Sequence, residues 1–297
     1  MAGPENAETK PPIVLIHGLW LTPRAWEGWI ERYTQLGHQV LAPAWPGMEI
    51  EVEALRKNPE AMNGLGVTEV ADFYETVIRE HSRPPIIVGH SFGGLITQIL
   101  LDRGLGVAGV AIHPAPIQGV LRLPLSSLRS GFPVLSNPVN RTRTVALSAK
   151  QFRYAFTNTL TVQESEEIYQ RYHVPAPGRP LFQAATANLR RHPATRVDVR
   201  NDTRAPLLLI AGGADHTVPV TLVRETYRRY RKSRAIIDYQ EFAYMPHFAL
   251  GAPEWERVAD HVVRWAERHA ARHARRSVGD TQRHRSGSAV VDEAPEP

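Results

Sequence analysis

The chain has 297 residues, of which 42% are hydrophobic and 22% charged, with a formal net charge of +5 and no cysteine. These values fit a globular α/β domain with an insertion, and they exclude disulfides, thiolate nucleophiles and cysteine-ligated metals. No run of 18 apolar residues occurs, so we expect no membrane partner. The first residues lack the apolar core of a secretory signal, so we expect a cytoplasmic protein.

The positive charge is concentrated near the C-terminus. Residues 268–285 contain six arginines and one aspartate, which account for the whole excess of +5. Because the rest of the chain is close to neutral, we expect no nucleic-acid partner. The alternative is a nucleic-acid binder that uses this tail, and it predicts a salt-dependent affinity that is lost on deleting residues 271–297.

Predicted strands alternate with predicted helices along most of the chain. The first strand follows a leader at residues 1–11 that we expect to be disordered. The predicted strands cover residues 12–18, 38–47, 84–90, 107–116, 205–215 and 234–242. The predicted helices cover residues 24–36, 68–81, 92–104 and 220–230, and a last one begins at 253. This alternation predicts a mostly parallel sheet with helices on both faces.

The alternation stops between residues 117 and 203, where helical patterns, prolines and aromatic residues follow one another. We interpret this stretch as a mainly helical cap inserted into a core formed by residues 12–116 and 204–270. From residue 271 onward the chain is rich in arginine and histidine and offers little to bury, so we expect a disordered tail at 271–297.

The stretch "IIVGHSFGGLITQIL" places Ser91 where a buried strand changes into a helix. A Gly-x-Ser-x-Gly sequence in this context makes a turn so sharp that side chains at Gly89 and Gly93 would collide. The hydroxyl then projects into a site beside the N-terminus of a helix, which favours negative charge. We predict that Ser91 is a nucleophile.

A serine nucleophile requires a base and an acid that orients the base. Asp215 follows a predicted strand at its carboxyl end, and His247 lies in the loop after the next strand. We assign them as acid and base. The alternatives are His216 or His113 as the base and Asp202 as the acid.

Backbone N–H groups near Ser91 are expected to bind an oxyanion. The loop after the first strand begins with Gly18, which permits a close approach, so we predict the N–H groups of Leu19 and Phe92 as the two donors. We assign Trp20, His17 and His113 to the substrate pocket, and His17 is also a candidate for holding this loop.

The motifs "HGLW", "GHSFGG", "DHTVP" and "PHF" together resemble those of the α/β-hydrolase superfamily, over residues 12–116 and 204–269. The opening segment is also similar to plant-type methylesterases and hydroxynitrile lyases. Phe248 follows His247, where the lyases have a lysine, which argues against lyase activity. The resemblance implies an α/β-hydrolase fold and serine esterase chemistry.

We therefore expect a serine hydrolase that cleaves a carboxylic ester, thioester or lactone through an acyl-enzyme on Ser91. Its substrate is expected to be a small molecule with a hydrophobic group, since the cap is apolar and aromatic. We expect no metal, no organic cofactor, and a monomer or homodimer. A serine-dependent C–C bond hydrolase and a small-molecule receptor without turnover remain as alternatives.

Overall fold

A computed structural model describes residues 10–287 of the chain. Most of the expected leader, residues 1–9, and the end of the expected tail, residues 288–297, lie outside the described residues. Lys10 pairs with Glu267 at 2.7 Å, and Pro11 accepts a hydrogen bond from the ring of His38 at 2.9 Å. The start of the described chain is thereby attached to the last helix and to the segment before the second strand.

Six parallel strands form the main sheet within residues 10–287. In chain order they are β1 (Ile13–Ile16), β2 (Val40–Leu41), β3 (Ile86–His90), β4 (Ala108–Ile112), β7 (Leu207–Gly212) and β8 (Ile237–Phe242). Their spatial order is β2-β1-β3-β4-β7-β8. Because β1 lies between β2 and β3, the strand order reverses beside it, and ligands of open α/β sheets bind at such a point, beyond the carboxyl ends of the strands.

Ten α-helices accompany these strands in the described part of the chain. They are α1 (Glu27–Gln35), α2 (Val52–Lys57), α3 (Val67–Arg79), α4 (Phe92–Asp102), α5 (Leu125–Leu135), α6 (Ala149–Phe156), α7 (Val162–Tyr172), α8 (Arg179–Ala185), α9 (Val220–Tyr230) and α10 (Trp255–Gly287). Every residue of β1, β3, β4 and β7 is buried. Since alternate side chains point to opposite faces, both faces of the sheet are covered, as predicted.

The segment between β4 and β7, residues 117–203, contains α5 to α8. Local sequence begins two of these helices, since Ser148 with Gln151 and Thr161 with Glu164 each form a reciprocal capping box. The segment also contains an antiparallel pair, β5 (Thr144–Val145) and β6 (Ala176–Pro177), that was not predicted. Strands of two residues are too short to show alternation.

The segment is joined to the carboxyl end of the sheet by hydrogen bonds. The indole N–H of Trp20 donates to the carbonyl of Val145 at 3.0 Å. From the loop after β7, the Thr217 hydroxyl donates to the carbonyl of Ala155 at 2.7 Å. Both contacts join the loops that follow strands to residues of the insertion.

The last helix continues beyond the predicted boundary. We predicted disorder from residue 271, but α10 runs from Trp255 to Gly287, so this prediction is wrong for residues 271–287. Alanine and arginine are strong helix formers, and they continue a helix that packing against the core has already started. None of the helices in the described part of the chain is both long and apolar enough to cross a membrane.

Candidate active site

The turn from β3 to α4 holds Ser91 in a backbone conformation that side-chain-bearing residues rarely adopt, with φ 56° and ψ −119°. A Cβ atom on Gly89 would lie 2.0 Å from the carbonyl oxygen of Gly93, and one on Gly93 would lie 2.1 Å from that of Ile16. Only glycine fits at both positions. The two glycines of the motif therefore allow the strained turn that presents the hydroxyl.

The structure brings Ser91, His247 and Asp215 together, although they lie on three separate loops. The distance from His247 Nε2 to Ser91 Oγ is 3.0 Å, and that from His247 Nδ1 to Asp215 Oδ2 is 2.7 Å. A carboxylate only accepts, so the His247 proton lies on Nδ1, and Nε2 is left to accept from the serine hydroxyl. All three side chains are buried.

Four donors surround the carboxylate of Asp215. Its Oδ1 accepts from the N–H groups of Thr217 and Val218 at 2.7 and 2.8 Å, and its Oδ2 accepts from His247 and from His113 Nδ1 at 2.7 and 3.2 Å. Burial acts to raise the pKa of Asp215, but the charges and hydrogen bonds of the two histidines outweigh it and hold that pKa well below its usual range. The acid is therefore ionised.

Two of the alternatives, His216 as the base and Asp202 as the acid, are occupied elsewhere. The ring of His216 contacts the carbonyl of Tyr154 at 3.1 Å and the side-chain amide of Asn158 at 3.5 Å, which joins it to the insertion. Asp202 lies in the loop before β7, at the opposite end of that strand, where it pairs with Arg234 at 2.8 Å. Within the described part of the chain, neither side chain forms a hydrogen bond with Ser91.

The loop after β1 lies directly against the serine. A Cβ atom on Gly18 would come within 2.7 Å of the Ser91 Cβ, so only glycine permits this approach. Among the described residues, neither the Leu19 N–H nor the Phe92 N–H has a hydrogen-bond acceptor. Two donors next to the nucleophile are thus available to a ligand.

His17 holds this loop, which is one of its two predicted roles, and it is absent from the wall of the cavity next to Ser91, which corrects its assignment to the substrate pocket. Its Nδ1 donates to the carbonyl of Gly18 at 2.9 Å, and its Nε2 accepts from the N–H of Trp45 at 3.3 Å. The ring is fully buried and stacks on the Trp45 indole. Burial lowers the pKa of His17 to about 4, and the hydrogen bond to Gly18 offsets this only in part.

A cavity of about 430 Å³ opens next to Ser91. Trp20 and Phe92 line it, as predicted from the sequence, and most of its remaining wall comes from the insertion. The apolar side chains that line it include Val120, Leu121, Leu123, Leu128, Leu181 and Leu189. His113 is absent from this wall, so its assignment to the pocket is wrong. Its ring is turned into the core, towards Asp215.

His90, His113 and His247 are close enough to be considered as metal ligands, since one nitrogen of each lies within 4.8 Å of the others. Both nitrogens of His247 are already hydrogen-bonded, to Asp215 and to Ser91. An ion at this centre could bind only after one of these contacts was broken. The cluster is therefore better described as a group of rings held by hydrogen bonds than as a metal centre.

Residues 13–261 match the sequence profile of the Alpha/beta hydrolase family, and the chain belongs to that family. An extracellular α/β-hydrolase from a Paenibacillus species, described as sharing structural and functional homology with tobacco salicylic acid binding protein 2, is similar in structure. Its TM-score is 0.63 at 20% sequence identity, and the matched region covers 86% of this chain and 98% of the Paenibacillus chain.

Two further solved structures have the same fold. Monoacylglycerol lipase from Paleococcus ferrophilus has a TM-score of 0.60 at 20% identity, covering 88% of this chain and 96% of its own. The methylesterase MES16 from Arabidopsis has a TM-score of 0.57 at 12% identity, and the matched region covers 86% of this chain and 98% of the methylesterase chain. No curated protein sequence matches the chain significantly.

Proposed function

We propose that the protein is a serine hydrolase that cleaves carboxylic esters, including thioesters or lactones, which carry a hydrophobic group. The observation that supports this most directly is the continuous hydrogen-bond chain Ser91–His247–Asp215 at the wall of an apolar cavity. A serine hydroxyl is a weak nucleophile until a base takes its proton, and this chain supplies the base.

In the proposed acylation step, Ser91 Oγ attacks the ester carbonyl carbon while His247 Nε2 takes the hydroxyl proton. Asp215 keeps the imidazole in the required tautomer and stabilises its cation. His247 then gives the proton to the leaving alcohol, and the C–O bond breaks. The burial of Asp215 strengthens this interaction, since water does not screen it.

The proposed oxyanion hole consists of the N–H groups of Leu19 and Phe92. Both lie on segments in contact with Ser91, and neither donates within the described part of the protein. The Phe92 N–H is the first of α4, whose dipole favours negative charge at this end. Loss of one such donor typically lowers the rate about 10²–10³-fold.

In the proposed deacylation step, His247 takes a proton from water, which attacks the acyl-enzyme carbon. The tetrahedral intermediate collapses, the acid is released, and Ser91 recovers its proton. Each step uses side chains and N–H groups of this chain together with water. We propose accordingly that the reaction requires no cofactor.

The proposed substrate preference rests on the cavity. Its wall near Ser91 is mainly aliphatic and aromatic, and pockets of this kind bind hydrophobic groups. The insertion that forms this wall would act as a cap over the nucleophile. A lipase and a methylesterase share the fold, which shows that ester hydrolysis is compatible with it.

Hydrolysis of p-nitrophenyl esters of increasing acyl length tests the proposal. We expect turnover with a preferred chain length, loss of turnover in Ser91→Ala, and normal turnover in the control Ser136→Ala, which is exposed and outside the cavity. A mass increase on Ser91 after treatment with an organophosphate would identify the nucleophile independently. Turnover that survives in Ser91→Ala would overturn the assignment. Labelling without turnover of any ester would favour C–C bond cleavage or a receptor.

A further inference from the structure

Two buried histidines outside the triad contact the backbone of His247. His90 is the last residue of β3 and His113 directly follows β4, so both lie at the same edge of the sheet as the nucleophile. Both are completely buried, and neither lines the cavity. Burying two imidazole rings is unfavourable unless their polar atoms have partners, so the contacts that they make need an explanation.

His90 makes a single strong contact. Its Nε2 lies 2.7 Å from the carbonyl oxygen of His247, a residue 157 positions further along the chain. Since a carbonyl only accepts, Nε2 carries the proton and donates it. Its Nδ1 has no hydrogen-bond partner among the described residues. Burial, followed by the neighbouring charges of His247 and His113, keeps the pKa of His90 well below its usual range, so the ring remains neutral.

His113 uses the other nitrogen. Its Nδ1 lies 3.3 Å from the same carbonyl oxygen of His247 and 3.2 Å from Asp215 Oδ2, so one N–H is shared between two acceptors. Its Nε2 has no hydrogen-bond partner within residues 10–287. The backbone of His113 is in the left-handed region, with φ 47°. Room for the ring exists because residue 212 is glycine, whose Cβ would lie 2.6 Å from His113 Cε1.

The His247 carbonyl therefore accepts from the Ala249 N–H at 2.9 Å and from both histidine rings. A carbonyl held in this way fixes the orientation of its peptide plane. It therefore also fixes the position of the His247 Cα, from which the imidazole side chain extends. The ring must reach Asp215 on one side and Ser91 on the other at hydrogen-bond distance. A misplacement of about 1 Å at such a site can cost about 10²-fold in rate.

We propose that His90 and His113 are positioning residues, which hold the His247 backbone, and in the case of His113 also Asp215, in the geometry that the triad requires. Neither residue lines the cavity next to Ser91, so the role that we propose does not include contact with substrate. The kinetic part of this inference rests on the proposed function, whereas the geometric part does not.

The two contacts use different nitrogens, and this makes them separable. The side-chain amide of glutamine places its nitrogen close to the position of histidine Nε2, and asparagine places it close to Nδ1. His90→Gln and His113→Asn therefore keep the donor, whereas His90→Asn and His113→Gln are matched controls that misplace it. A role in packing alone would not favour glutamine over asparagine at position 90 and asparagine over glutamine at position 113.

We expect His90→Gln and His113→Asn to retain kcat within about fivefold of the wild type. His90→Asn and His113→Gln should lose about 10²-fold in kcat with KM unchanged, because the cavity is untouched. The melting temperature, measured for all four, identifies losses due to unfolding. Equal kcat in both members of each pair would overturn the inference, as would a lower melting temperature in the control variants without a change in kcat.

A measurement without substrate separates this inference from the proposed function. The Nδ1–H of His247, in its short hydrogen bond with Asp215, should give a far-downfield ¹H resonance, assigned by its absence in His247→Gln. We expect this resonance to persist in His90→Gln and His113→Asn and to shift or broaden in His90→Asn and His113→Gln. If no ester is hydrolysed but this pattern appears, the positioning role stands and only the proposed function fails. An unchanged resonance in all four variants would overturn the positioning role.

Discussion

The carboxyl edge of the sheet and the inserted segment meet at Ser91, and they differ in how they hold their side chains. At the sheet edge the polar groups are buried and hydrogen-bonded, and Asp215 alone has four donors. At the cavity the insertion presents Leu123 and Leu189 with 73% and 86% of their surfaces exposed. The first region is held by directional contacts, whereas the second offers apolar surface with little directional constraint.

This difference suggests a division of tasks. Hydrogen bonds require correct distances and angles, so substitutions at the sheet edge should change the rate sharply. Apolar contact is non-directional and scales with area, so substitutions in the insertion should shift substrate preference gradually. The following experiments test this comparison, beginning with the largest expected effect.

The largest expected difference in kcat is between substitutions of the two histidine candidates for the base, His247 and His216. His247→Ala removes the group that contacts Ser91 and should lower kcat about 10⁶-fold. His216→Ala removes a ring whose partners in the described part of the chain belong to the insertion, and we expect less than a tenfold change. Steady-state kinetics on one p-nitrophenyl ester checks both. A severe loss in His216→Ala together with a mild loss in His247→Ala would reverse the assignment of the base.

Asp215→Asn should fold normally and lower kcat about 10⁴-fold, since an amide can stabilise the wrong tautomer of His247. Asp202→Asn is the matched control, because Asp202 is exposed and pairs with Arg234 at the other end of β7. We expect it to leave kcat unchanged. Equal activities in these two variants would show that the acid lies elsewhere.

Acid should destabilise the protein through buried histidines such as His17. Its pKa is lowered from 6.5 to about 4 in the folded state, so below pH 6.5 the unfolded chain binds a proton that the folded protein does not. The stability is therefore complete above pH 6.5 and decreases as the pH falls towards 4, by roughly 3 kcal/mol from His17 alone. Urea unfolding at pH 7.5, 6 and 5 measures this decrease.

His17→Asn provides the control for that series, since it removes the titrating group and keeps a side-chain amide near the Gly18 carbonyl. As the pH falls from 6 to 5, its unfolding free energy should decrease by about 1.2 kcal/mol less than that of the wild type. Identical slopes would mean that His17 does not stay neutral in the folded protein.

The smallest effect concerns the cavity wall. Ala184→Phe, on α8, should fill part of the cavity and lower kcat/KM for the longest esters about tenfold, while short esters are unaffected. Ala271→Phe, on the exposed side of α10, is the control for the added ring. Loss of activity on all esters alike would contradict the separation between chemistry at the sheet edge and selectivity in the insertion.

Local sequence was sufficient to predict the alternating sheet, the elbow around Ser91 and the helix that follows it. The elbow depends in part on a contact between near neighbours, since a Cβ on Gly89 would clash with the carbonyl of Gly93, whereas a Cβ on Gly93 would clash with that of Ile16 on β1. The strands depend on runs of buried residues, which the composition of each short segment reveals. Helix starts such as Ser148 with Gln151 likewise depend on residues three positions apart.

The sequence by itself also predicted which residues the sheet edge would bring to Ser91, because parallel strands place the loops after their carboxyl ends together. It predicted His17 as a candidate for holding the loop after β1, but it did not predict the contacts that His90 and His113 make with His247, since these depend on distant residues and on backbone conformation. His90 and His247 are 157 residues apart, and the contact of His113 depends on its left-handed backbone and on space left by Gly212. Which distant residues surround a side chain depends on how the helices and strands pack together. For these histidines, only the tertiary structure determined those contacts.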